Sequence, residues 1–533
     1  MVSNNKSLLT GNEATLSAVG SLTCPLLIEA LSEPRTAADA ARGLGAVSAF
    51  PVEDSALLPA VTAMISQPSS TLSDAIKGLA VMAQHRSRLI QEHVIPKILG
   101  TVELHKWLPL LTISNSQLVL TIVSALLQST LSSIAINDEA NTKHLLSCLR
   151  DSIRDAPKTS PEVVQLCCNP SNSVIHSLLS ALLSQIKASK PVSAEIVELG
   201  RSIFRSIAEG IPSALQQDLV SSVAPIFVVS NHISQDLFPL LPLFSCTIAS
   251  LGPAHSSALK PFIVPLLEVT ESSSSSLAVQ DAVSLAVASI LNKLPESEDE
   301  SILPSLVDRI IKTSNPLTLA WVARALMLRS HELGSKLLIH LISLCAVDAP
   351  QADAAATGIK IVAANPSTDL EGLTSRASAV ITEGLGTRVY DAAFKPLMAL
   401  PSMVSHRRST LISLAAVLSE TPANILEENA KECVPIVLRV MTGINFKDDA
   451  SCALNLTSSF VATAPSLIGE HMPAIIGGLC SVSVKHEQAK SRASALRLLL
   501  LIRQKVSSHL ILPQQQYVIN ALLPTLDDPK GAV

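Results

Sequence analysis

ILPSLVDRIIKTSNPLTLAWVARAL, residues 302–326, decides the fold. It reads as one apolar helix, a short turn, and a second helix carrying Arg324, Ala325 and Leu326. The same two-part form recurs in PFIVPLLEVTESSSSSLAVQDAVSLAVASIL (261–291), CVPIVLRVMTGINFKDDASCALNLTSSFV (433–461) and HMPAIIGGLCSVSVKHEQAKSRASALRLLLLI (471–502). Pro435 and Pro473 take equivalent first-helix places 38 residues apart, and Gln516, ahead of YVINALL, follows 43 residues later. Short breakers rich in Pro, Ser, Asn or Gly separate the helical runs, among them Gln67-Pro-Ser-Ser and Cys168-Asn-Pro-Ser-Asn. The serine run 272–276 is expected to join the two helices of one hairpin.

Two helices per unit and a variable period near 40 form the HEAT-like pattern. The expected fold is all-α, a HEAT/armadillo-like α-solenoid of antiparallel helix pairs. At about 40–47 residues per unit the chain holds roughly a dozen hairpins. Composition agrees with this. Of 533 residues 48% are hydrophobic, yet only 2% are aromatic, with Trp at 107 and 321 and Tyr at 390 and 517. Thin repeated layers of Leu, Ala, Val, Ile and Ser need few rings, whereas compact cores lean on them.

A net charge of −5 argues against direct nucleic-acid binding, which calls for basic patches that displace counterions. Nine scattered cysteines without CxxC suit a reducing compartment and buried thiols. Residues 107–137 carry no charge, and 118–136 is long enough to span a bilayer. Its polar residues Gln117, Thr121, Ser124, Gln128 and Ser132 recur at steps of four and three, however, so an amphipathic soluble helix is the better reading. MVSNNKSLLTGNEA lacks the features of a signal peptide.

No catalytic constellation emerges. P-loop, GxSxG and HExxH patterns are missing, and the histidines show no metal-ligand spacing. Gly43-Leu-Gly45 and Gly384-Leu-Gly386 lack a third glycine and are expected to be helix C-caps or turns. The acidic pairs Glu427-Glu428, Asp448-Asp449 and Asp527-Asp528 are placed in turns or at helix starts. Adjacent Cys167 and Cys168 point about 100° apart on a helix and read as structural. Arg324 and Arg492 sit among apolar residues of second helices, and Arg492 is expected to reach an aspartate in an adjacent inter-helix turn, a structural ladder. Lys490, Ser494 and Arg497 fall on the opposite side, which makes Lys490 and Arg497 candidates for a partner. Arg407 and Arg408 begin a helix, where the dipole disfavours cations, and are partner candidates for that reason.

The C-terminal repeats resemble a particular family. LAWVARALMLRSHELGSKLL (319–338) is similar to the Trp-Val-x-x-Ala-Leu-x-x-Arg-x-His segment of the Mms-nineteen (methyl-methanesulfonate-sensitivity) proteins, adaptors of cytosolic iron–sulfur assembly. In the same order, DAAATGIKIVAANPSTDL (353–370), HRRSTLISLAAVLSETPANIL (406–426), CSVSVKHEQAKSRASALRLLLLI (480–502) and VINALLPTLDDPKGAV (518–533) resemble later family segments. GLGTRVYDAAFKPL (384–397) departs from the family pattern, and Gly531 stands where the family has arginine. One continuous solenoid is therefore expected, with divergent repeats over 1–316 and family-like repeats over 317–533. Asp527 and Asp528 would lie in the turn or N-cap of a last, truncated hairpin.

The resemblance implies a non-enzymatic scaffold, cytoplasmic and nuclear, that binds no cofactor stably. Its implied partners are a MIP-eighteen-family protein and a WD-repeat propeller, with apo iron–sulfur clients such as helicases, polymerases and primases. Neither membrane nor direct nucleic-acid binding is expected. The alternative is another HEAT scaffold: a nuclear transport receptor, which would bind GTP-loaded Ran and Phe-Gly repeats, or a phosphatase regulatory subunit.

Overall fold

The computed structural model describes residues 13–33, 35–67, 72–94, 97, 116–155, 166–167, 173–228, 232–252, 256–272, 275–347, 349–365, 384–400, 408–443, 446–463 and 465–523. Every regular element among them is an α- or 3-10 helix, so the class is all-α. The chain packs as two compact units, Met1–Leu251 and Gly252–Val533.

In the first unit α1 (Glu13–Leu31) pairs with α2 (Ala37–Val47), and α3 (Asp54–Ile65) with α4 (Leu72–His85), while α2 lies against α4. The short α5 (Ser87–His93) closes this pair. Farther along are α6 (Ser116–Ile136), α7 (Glu139–Asp155), α8 (Val174–Lys187), α9 (Ala194–Gly210), α10 (Ser213–Phe227) and α11 (Leu241–Ser250). Here the second helices α7, α9 and α11 form a row, and α8 packs on α6. In α6 the C-terminal part of the stripe read from the sequence faces outward: Gln128 and Ser132 are exposed and Ser124 is half-buried, while Val123, Leu126, Leu127 and Ile134 are buried. Among the described residues the helical run long and apolar enough to cross a membrane by composition is instead Pro465–Lys485, half of it buried inside the fold.

The second unit repeats one hairpin six times: α12 (Ile263–Glu271) with α13 (Leu277–Lys293), α14 (Glu296–Thr313) with α15 (Pro316–Leu328), α16 (Glu332–Leu344) with α17 (Ala349–Ala363), α18 (Leu385–Ala399) with α19 (Arg408–Ser419), α20 (Ala430–Gly443) with α21 (Phe446–Thr463), and α22 (Met472–Lys485) with α23 (Ala489–Lys505). α24 (Gln515–Leu522) packs on α22. The second helices α13, α15, α17, α19, α21 and α23 lie side by side in one row, with the first helices in a second layer.

Local chemistry sets these hairpins. After Thr313 the chain turns at Ser314, a non-glycine residue at φ 50°. Asn315 then caps α15, its side-chain oxygen accepting from the amides of Leu317 and Thr318 at 3.0 and 3.3 Å, with Pro316 at the first helical position. Ser276 closes the serine run by capping α13 through the amide of Val279.

A helix inside the inner row, covered by row neighbours and by its own first helix, is apolar nearly all round. Residues 282–293 of α13 are all buried, as are 409–418 of α19. Each Leu, Val or Ile so covered contributes roughly 1.5–3 kcal/mol of transfer free energy. Serine and threonine enter these helices by bonding back along them, as Thr457 does to Ala453 and Ser413 to Ser409, both at 2.8 Å. Ser284 and Thr318 also bond to each other between α13 and α15 at 3.0 Å.

The Gly-x-Gly pairs are not C-caps. Gly43 and Gly45 lie inside α2, and a Cβ on Gly45 would sit 2.9 Å from both the Gly78 carbonyl oxygen and Val81 of α4. A Cβ on Gly78 would meet the Ala41 carbonyl at 2.4 Å, so these glycines bring two inner helices into backbone contact. Gly384 precedes α18 as its N-cap, and Gly386 packs its α-carbon on the Glu420 carbonyl. The acidic pairs divide likewise. Asp448 and Asp449 fall in the first turn of α21, but Glu427 and Glu428 end a six-residue helix, Ala423–Glu428.

Lys293, last residue of α13, is fully buried, and burial pushes its ammonium down to about 7. Between that value and its unfolded value of 10.5 the unfolded chain holds a proton that the folded chain has released. Stability therefore rises with pH from neutrality upward. The thiols of Cys148 and Cys433, raised to about 11 by burial, act in the opposite direction above pH 9. Urea titrations from pH 7 to about 8.5 should thus show the wild type gaining on Lys293→Met by about 1 kcal/mol per pH unit, approaching about 1.4 at the upper end. Parallel pH profiles would show that Lys293 is protonated in the fold.

Candidate partner-binding surfaces

Two kinds of cation occupy the repeats, one spent on the backbone and one left at the surface. The first group aims at helix ends, where the last four carbonyls of a helix lack intrahelical donors and carry the negative end of its dipole. Arg86, after α4, donates to the carbonyls of Ser48, Phe50 and Val52 at 3.1, 2.7 and 3.0 Å and stands 3.5 Å from Asp54. Arg329, after α15, donates at 2.9 Å to the Leu291 carbonyl in the last turn of α13. Arg388 of α18 donates at 3.0 Å to Met327 near the end of α15.

Arg324 and Arg492, the two arginines that the sequence assigns to a ladder, belong to this group. Arg324 is fully buried and donates to the carbonyls of Ile361 and Val362 in the last turn of α17. Burial pulls its guanidinium down to about 9, opposed by the charge of Glu420, whose own carboxyl burial pushes up. Arg492 donates to His486 and Glu487 at 2.7 and 3.0 Å, in the turn before its own helix. Carbonyl oxygens of the turn thus take the place expected for an aspartate, because a buried helix end presents unpaired acceptors wherever the chain turns. The aspartate-type contact occurs instead at Arg86, a position the sequence reading passed over. Its signal was the spacing: Arg86 to Ser48 and Arg329 to Leu291 are both 38 residues.

The second group comprises the partner candidates. Lys490 and Arg497 are exposed on α23, on the side away from buried Arg492, Ala495 and Leu498. Arg497 lines a cleft of about 360 Å³ between α21 and α23, together with Asn455, Ser458 and Ser494. Arg408 is the first residue of α19 and lies 4.0 Å from Asp353 of α17, so a carboxylate of the neighbouring repeat offsets its unfavourable place at a helix start. The structure does not bring Arg408 together with the α23 cations in one site. Arg407, Asp527 and Asp528 lie outside the described residues.

The seven described cysteines are buried thiols. Among the described residues no group of three or more His, Cys, Asp or Glu is placed to hold a metal ion.

Against this architecture, residues 107–503 match the family model for the MMS19 C-terminal region, described as RNAPII transcription regulator C-terminal. The chain belongs to the MMS19 family. The match begins well upstream of the family-like repeats read from the sequence. The MMS19 nucleotide excision repair protein homolog of Xenopus tropicalis is 24% identical over 331 residues, which are 60% of this chain and 31% of that protein. Its Xenopus laevis counterpart is 25% identical over 339 residues, 61% of this chain and 32% of its own. The matched stretch thus spans about a third of these MMS19 relatives. Among solved structures, karyopherin Kap121p aligns over 96% of this MMS19-family chain and 70% of its own at 11% identity, with a TM-score of 0.29, too low to support an inference from one to the other.

Removing a backbone-clamping arginine orphans carbonyls that water does not reach. Arg324→Ala should cost about 3 kcal/mol in urea unfolding, whereas Arg497→Ala should stay within about 0.5 kcal/mol. Equal effects from the two would contradict the division into clamps and surface cations.

Proposed function

We propose that this chain is a non-enzymatic scaffold of the cytosolic iron–sulfur targeting machinery, acting through the repeats of an MMS19 C-terminal region. The observation that carries the reading is the family match over 107–503, laid on a stack of helical hairpins. Repeats of this kind hold partners by many modest contacts. The relatives are named for nucleotide excision repair, and the family model for transcription by RNA polymerase II. A scaffold that loads clusters into helicases, polymerases and primases would connect both names without touching DNA itself.

On this reading the chain binds a MIP-eighteen-family protein and a WD-repeat propeller, handles the cluster only through them, and works in cytoplasm and nucleus. Affinity capture of the tagged protein from its own cells should recover both partners in near-stoichiometric amounts, together with iron–sulfur client enzymes. The chain purified alone should carry no stoichiometric iron. Capture that repeatedly lacks both partners, or a chain that holds its own cluster, would overturn the reading.

A further inference from the structure

Several cations of other helices have carboxylates, although exposed Lys187, Lys312, Lys395 and Lys485 have none among the described residues. Arg201 and Arg205 pair within α9 with Glu198 and Glu209 at 3.0 and 2.8 Å. Lys336 of α16 meets Asp308 of α14 at 3.0 Å. Arg309 holds Glu271 through two bonds of 2.8 and 2.9 Å. α23 is different. Its sequence, AKSRASALRLLLLIRQK, contains no acidic residue. Among the described residues its four exposed cations, Lys490, Arg497, Arg503 and Lys505, have no ion-pair or hydrogen-bond partner.

Two of these cations share a stripe with the α21–α23 cleft. Lys490, Ser494, Arg497, Leu501 and Gln504 recur at steps of four, three, four and three, one face of a helix. The last four line the cleft opposite Leu454, Asn455 and Ser458. Leu500, on the same rim, is 57% exposed in mid-helix. The cleft therefore offers a guanidinium free to take a carboxylate, hydroxyl and amide groups for backbone atoms, and aliphatic surface between them.

We propose that the α21–α23 cleft is a docking site for an acidic segment of a partner protein whose carboxylate pairs with Arg497 and whose aliphatic side chains cover Leu500 and Leu501. Charge complementarity sets the sign of the occupant. The leucines favour a peptide over nucleic acid, since phosphate gains nothing from aliphatic walls, and the chain as a whole carries a net charge of −5. The proposal goes beyond the iron–sulfur reading, because the site would serve whichever assembly the scaffold belongs to.

The full chain would be titrated with a short fluorescein-labelled peptide bearing glutamates on one helical face and leucines on the other. Its twin with glutamine for glutamate, and a DNA duplex, would be run beside it. Arg503, which lines a separate apolar hollow of about 340 Å³ with Ile476 and Leu512, supplies the internal control. Arg497→Glu should weaken the acidic peptide about tenfold or more, Arg503→Glu by less than about twofold, and the glutamine twin should bind about tenfold more weakly than the acidic peptide. If Arg497→Glu loses helicity, Arg497→Gln tests the same contact. Equal weakening by the two reversals, indifference to the glutamates, or duplex binding as tight as the peptide's would overturn the proposal. Any of these can occur while the partners named above still co-purify, so the two readings fail separately.

Discussion

A helix with no polar side has to be covered by protein all round, and the inner-row helices impose that requirement on the second unit. Residues 282–293 of α13 and 409–418 of α19 leave no face for water, so neither helix is stable except between neighbours. Stacking is how a hairpin whose own partner covers one side completes its burial. The low aromatic content has the same origin. Helices that approach as closely as α2 and α4 do at Gly45 and Gly78 favour Ala, Ser, Val and Leu at that contact over rings. Many buried hydroxyls bond to their own helix backbone or to a hydroxyl across the row, whereas those of Ser289 and Ser409 have no partner among the described residues.

Stacking brings helix ends into apolar surroundings, and the arginines answer that. Arg86, Arg324, Arg329 and Arg388 each carry donors to carbonyls of another repeat, so the same bond that satisfies a helix end also fastens repeat to repeat. The cost shows in Arg324, whose burial pulls its affinity for the proton down. Lys293 shows the same cost, and because its ammonium is pushed down to about 7 the cost falls at neutral pH.

Much of this was legible in the residues. Thr313-Ser-Asn-Pro316 carries both the turn and the cap of its hairpin, and the serine run 272–276 ends on a capping serine. Local signals of that kind survive folding because they act within a few residues. Contacts between repeats were less legible. The Gly-x-Gly pairs looked like C-caps or turns, which holds for Gly384 alone, since nothing in their own helix reveals the neighbour that forbids a Cβ. The acceptors of Arg324 and Arg492 were backbone atoms, which every residue has and no sequence pattern marks. The α23 stripe could be read as a polar side, but its cleft exists only once α21 lies beside it.

The central claim is that the inner row carries the stability of the second unit. Hydrogen–deuterium exchange of the full chain, resolved by peptide, tests it most directly. The amides of α13, α15, α17 and α19 should exchange slowest and those of α14 and α24 markedly faster, with slow exchange reaching into the helix ends that arginines hold. Exchange fastest in α13 and α15, or equal protection of α14 and α15, would contradict the account.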